Sequence, residues 1–160
     1  MLKSCVCVLA MCVFTGIHSQ RAQAAQPQEV WLKAIEGTWT WRDDERGDVT
    51  VTFTSHAEGK GMVGVGKDDN GSFVSIIGWE PWDNVLTDTG FHSSGSGGRI
   101  VYNEVTDTTL KGTRKGTDAD GNKQPDLQFD VVRKGNKVTV TTTNDKRVTK
   151  TSVLTKAAKN

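Results

Sequence analysis

From residue 48 onward, apolar and polar residues alternate along the chain. Val49, Val51 and Phe53 interleave with Thr50, Thr52 and Thr54, the period-two pattern of a strand with one buried face. Similar β-branched runs recur at intervals of about ten residues. They predict strands at 38–43, 48–55, 61–67, 72–80, 85–91, 99–104, 109–115, 127–133, 137–143 and 148–154. Asp69-Asn70-Gly71, Asp120-Gly121-Asn122 and Lys134-Gly135-Asn136 supply the residues that tight hairpins need. Pro81 and Pro125 fall between strands, where no ladder donor is required. A helical period appears only at 26–36, where Pro27 suits a first turn, Trp31 and Ile35 share a face, and Gly37 can end the helix. No helix-length pattern separates the strands, so parallel βαβ units are excluded. The expected fold is all-β: an antiparallel up-and-down barrel of about 8–10 strands, or failing closure a sandwich. One short N-terminal helix would plug an end.

The first 24 residues change the picture of where this domain works. Lys3 begins a positive start, Cys5 to Ile17 is apolar, and Ala22-Gln23-Ala24 has the small-x-small form of a cleavage site. An apolar run of about 13 residues falls short of the roughly 20 that span a bilayer, and no later segment approaches that length. The expectation is a signal peptide at 1–24, one barrel domain at 25–160, a secreted or periplasmic location, and no integral membrane segment. Cys12 follows Met11 in mid-run, which argues against lipidation. Cys5, Cys7 and Cys12 are the only cysteines, so the mature chain is expected to hold neither a disulfide nor a thiolate site.

The whole chain carries 20 basic and 19 acidic residues, and losing Lys3 and Arg21 leaves 18 against 19. A near-neutral, interspersed surface lacks the footprint of a nucleic-acid partner. The basic tail of Lys146, Arg147, Lys150, Lys156 and Lys159 reads as a solvated edge and chain end.

Candidate chemistry is sparse. His56 and His92 are the histidines of the mature part, and neither has a partner at metal-ligand spacing. His56 falls on the threonine face of its strand, and His92, beside the Gly/Ser-rich stretch 90–98, reads as a surface residue. Asp118-Ala119-Asp120-Gly121-Asn122 lacks the flanking helices and the final glutamate of a calcium loop. Gly61-Met62-Val63-Gly64-Val65-Gly66-Lys67 sits inside a strand and opens no helix, unlike a dinucleotide loop. Ser93, Ser94 and Ser96 with His92 and Asp88 lack a nucleophile elbow. No cofactor and no metal are expected. The aromatics say more: Trp39, Trp41, Phe53, Trp79, Phe91 and Tyr102 fall on strands, where they either fill a small barrel or line its cavity. Glycine-rich and threonine-rich strands leave little bulk elsewhere, which favours a hollow. The expected ligand-binding set is Trp41, Phe53, Trp79, Phe91 and Tyr102, with Tyr102 or Arg99 orienting the ligand.

The helix followed by Gly37-Thr38-Trp39 resembles the Gly-x-Trp signature of lipocalins and other calycin barrels. The run Ile77-Gly78-Trp79-Glu80-Pro81, then Gly90-Phe91 and Asp120-Gly121, is similar to a group of secreted bacterial lipocalin-like domains, also found beside SnoaL-like modules. The likeness spans roughly 35–143. It implies that Trp39 packs across the closed end beneath a basic side chain of the last strand, Arg147 or Lys150. It also implies a cavity, and with it a small apolar or amphipathic ligand. Two other readings stay open: a filled-core interaction or inhibitor domain working through its surface, and a barrel enzyme, which would need His92 to point inward.

Overall fold

The computed structural model describes residues 25–158; the proposed signal peptide, with its three cysteines, and Lys159 lie outside the described residues. Helix α1 (Pro27–Ile35) leads into ten strands: β1 (Gly37–Asp43), β2 (Gly47–His56), β3 (Gly61–Asp68), β4 (Gly71–Glu80), β5 (Val85–His92), β6 (Gly97–Val105), β7 (Thr109–Thr117), β8 (Leu127–Lys134), β9 (Lys137–Asn144) and β10 (Thr149–Lys156). A short 3-10 turn, Ala57–Gly59, joins β2 to β3. Each strand pairs antiparallel with its sequence neighbours, and β10 returns to β1, closing the barrel. The all-β antiparallel barrel read from the alternation is the fold observed. Closure removes the free edges that would otherwise invite pairing with another chain.

Strand alternation divides each wall into two faces. Trp39, Val51, Met62, Ile77, Leu86, Tyr102, Leu110, Val131 and Val138 point inward and are buried. They form one cluster at the end that α1 covers with Trp31, Leu32 and Ile35. Leu32 and Leu86 are almost wholly enclosed, at 1% and 0% exposure, and each such burial stabilises the fold by about 2 kcal/mol.

Trp39 fastens the helix to the barrel. Its indole Nε1–H donates to the Ile35 carbonyl at 2.7 Å. The basic side chain over its ring is Lys156, with Nζ 5.4 Å from the ring centroid, and that ammonium also donates to the Ala34 carbonyl at 3.1 Å. Two carbonyls of the helix's last turn, which have no partner within the helix, are thereby satisfied. This corrects the expected partner. Lys150 lies near the far end of β10 against Asp43, and Arg147 occupies the β9–β10 turn at φ +61°. An antiparallel last strand carries its C-terminal residue, not its first, back to the start of β1.

Candidate functional site

The loops opposite α1 surround the open end of the barrel, and the interior below them is a cavity of about 820 Å³. Inward glycines account for much of the hollow. A Cβ on Gly64 would come within 2.6 Å of the Phe53 ring, and one on Gly66 would collide with Phe73. Those rings therefore lie against a bare wall instead of filling the middle. The floor is apolar, made by Ile35, Trp39, Leu86, Leu110, Val131 and Val138. The mouth is polar.

Three groups of charge stand at that mouth. Asp43 accepts the Glu45 and Arg46 N–H groups at 3.0 and 3.1 Å and pairs with Lys150 at 3.2 Å. Burial raises its carboxyl, but the Glu45 N–H, Lys150 and Arg46 outweigh that and hold it below its ordinary value. Arg46 lies over the Trp41 and Phe73 rings, 5.8 and 6.0 Å from their centroids, with Asp68 Oδ2 at 3.8 Å. Arg114 occupies space cleared by Gly98 and Gly116, whose Cβ atoms would approach its guanidinium to 2.9 and 3.1 Å. Its hydrogen-bond partner is Gln124, at 3.2 Å. Burial, and after it the like charge of Arg46, lower the Arg114 pKa.

His92 departs from its expected surface position. Its side chain is 15% exposed and lines the cavity mouth. Nε2 lies 3.3 Å from Asp68 Oδ1. Nδ1 accepts the Ser94 N–H at 3.0 Å and lies 2.9 Å from Ser94 Oγ. This serine–histidine–aspartate chain is a loop fastening: the ring nitrogen a nucleophile would need is already bonded to the Ser94 backbone. Gly95 N–H to the His92 carbonyl, at 2.9 Å, and Ser93 N–H to Ser72, at 2.8 Å, tie the same turn. Asp118 does likewise for its hairpin, accepting the Asp120 and Asn122 N–H groups.

Deeper in the wall sits a polar notch. The Ser75 hydroxyl donates to Asp88 Oδ1, and Ser75 is its one hydrogen-bond partner among the described residues. Burial pushes the Asp88 carboxyl up to about 6, against a partial lowering by Ser75. Burial, and then the Asp88 charge, push the neighbouring Tyr102 hydroxyl well above its usual range. Asp88 is packed about by protein yet keeps some accessible surface. It is a cavity-lining residue, so that surface opens into the hollow.

The expected ligand-binding residues separate on this frame. Trp41, Phe53 and Tyr102 line the cavity together. Trp79 faces inward at the closed end, partly buried beside α1, and borders a smaller cleft with Pro27 and Val105. Phe91 borders the cavity at its rim, but on the alternate side of β5 from Gly90 and His92, 57% exposed. Through its register partner Val74 it joins an outer apolar stripe that includes Val65. Arg99 faces outward between the inward Gly98 and Ile100, and grips Glu80 with contacts of 2.7 and 2.8 Å. It cannot orient a ligand inside. Asp88, Ser75 and Arg114 were not expected in the site. Their signal was phase: Asp88 lies two residues from Leu86, and Arg114 four from Leu110.

Compared with known proteins, the chain matches no family model and no curated protein. Among the described residues, no helix is long and apolar enough to cross a membrane.

Proposed function

We propose that this protein is an exported lipocalin-like carrier, of the secreted bacterial type, that holds a small amphipathic molecule inside the barrel. The observation that carries the reading is the hollow interior: about 820 Å³, apolar at the floor and polar at the mouth. Ligand cavities typically measure roughly 300–1,000 Å³ and combine apolar walls with a few placed polar groups. Affinity would come from burying the ligand's apolar part against Trp39, Phe53 and Phe129. The Lys3 start, the apolar segment and Ala22-Gln23-Ala24 support export.

Native mass spectrometry on the full-length chain, expressed in an exporting bacterial host and purified gently, tests both parts. The expected mass begins at Ala25 and carries a reproducible excess that disappears on denaturation. A mass that still includes residues 1–24 after export would overturn the leader. A bare protein that also fails to take up small amphipathic probes would overturn the carrier.

A further inference from the structure

The Ser75–Asp88–Tyr102 notch is an unfinished polar site in the wall of an otherwise apolar hollow. Among the described residues Asp88 has one donor, the Ser75 hydroxyl, and the Tyr102 hydroxyl has no hydrogen-bond partner. A carboxyl enclosed by protein ordinarily has a cation or several donors around it. The charged groups that face the same cavity are already engaged or stand apart. Lys150 is held by Asp43 and Glu45, and Arg46 and His92 are held by Asp68. Arg114 is separated from Asp88 by the intervening strand, where Ile100 is the register partner of both. No residue among those described places a cation within 4.0 Å of Asp88.

We propose that Asp88, with Ser75 and Tyr102, anchors the ammonium group of a small amphipathic amine whose apolar part lies in the barrel. This rests on the carrier reading and names its ligand class. An ammonium supplies what the notch lacks. It brings a positive charge for the Asp88 carboxylate and enough N–H donors for both Asp88 and the Tyr102 oxygen. A neutral hydroxyl would supply a donor without the charge, and charge-assisted hydrogen bonds are roughly twice as strong as neutral ones. The wall also suits a cation. Aromatic faces already hold Lys156 at the floor and Arg46 at the mouth, and Phe53, Phe129 and Tyr102 offer further rings between them. A carboxylic acid would have Arg114 and the already paired Arg46 and Lys150 to draw on, and would share the hollow with the Asp88 charge.

Titration calorimetry with n-octylamine, 1-octanol and octanoate separates the possibilities, because the three probes share one tail. The wild-type protein at pH 7.5 is expected to bind octylamine at least tenfold more tightly than octanol, with octanoate weakest. Asp88→Asn should bring octylamine to within about threefold of octanol, the amine losing far more than the alcohol. Tyr102→Phe, which keeps the ring, should weaken octylamine severalfold and octanol by less. Circular dichroism confirms that each variant is folded. If octanol binds as tightly as the amine, or the amine preference survives Asp88→Asn, the anchor is wrong and the carrier stands. If octanoate binds best, Arg114 holds the polar end and the proposal is overturned. If none of the three binds the wild-type protein, the carrier reading falls and the anchor falls with it.

Discussion

At the scale of single residues, Asp88 carries a cost that depends on pH. Its folded pKa of about 6 lies above the ordinary value of 3.8, so the folded state holds this proton more tightly than the unfolded chain does. Ionisation therefore destabilises the fold. The penalty is absent below about pH 4, grows as pH rises through 6, and then levels off near 3 kcal/mol, at about 1.4 kcal/mol per pKa unit. In the Asp88→Asn variant the amide oxygen would still accept the Ser75 hydroxyl, but the side chain could not ionise. Urea denaturation should show Asp88→Asn more stable than wild type by about 1–3 kcal/mol at pH 8, with the difference gone at pH 3. An equal difference at both pH values would mean that the carboxyl is not raised by burial. His92 is the opposite case: half-buried at the rim, it is bonded at both ring nitrogens, so its site serves the loop's shape.

At the scale of elements, the walls depend on where side chains are missing. Gly112 in β7 faces the β6 backbone beside the register shift between Tyr102 and Glu104. A Cβ there would collide with the Val101 carbonyl and stand 2.8 Å from the Tyr102 Cα. Backbone atoms in a paired strand cannot step aside. Gly112→Ala should therefore cost about 2–4 kcal/mol. Gly78 in β4 has nothing within 4 Å of its Cβ position, so Gly78→Ala is the control and should stay within about 0.5 kcal/mol. Chemical denaturation of the two variants side by side decides it. Equal effects would show that β6 and β7 are not packed as closely as described.

At the scale of the whole molecule, closure is uneven. Neighbouring strands pair through at least six residues elsewhere, whereas β1 and β10 share two, Trp39 with Lys156 and Thr40 with Thr155. Beside them run one backbone bond, Ala157 N–H to the Thr38 carbonyl at 2.8 Å, and two side-chain contacts, Lys156–Trp39 at the floor and Lys150–Asp43 near the mouth. Locally weak hydrogen bonding opens before the global fold does. In hydrogen exchange, the β10 amides are expected to be the least protected of any strand, and Lys150→Ala should lower protection in β10 further without changing β4 or β5. Uniform protection around the barrel would show that the seam is as firm as the other pairings.

Much of this architecture follows from local pattern. Alternation marked all ten strands, the Asn, Asp and Gly clusters marked the hairpins, and the Trp31–Ile35 spacing marked the helix that covers the floor. Trp41, Phe53 and Tyr102 were also legible as inward residues. What alternation leaves open is which of two faces is inside. Leu86 and Phe91 lie an odd number of residues apart, so only one can point inward; Leu86 is completely buried, and it carries Asp88 and His92 in with it. The same choice turned Arg99 outward to Glu80, because Ile100 took the interior. Lys156 reached Trp39 because barrel closure brings the last strand's end to the first strand's start. The elements and their order are local properties, set by near neighbours and side-chain period. Tertiary structure alone decided which polar groups share the hollow, because that depends on strand phase, register and closure across residues distant in the chain.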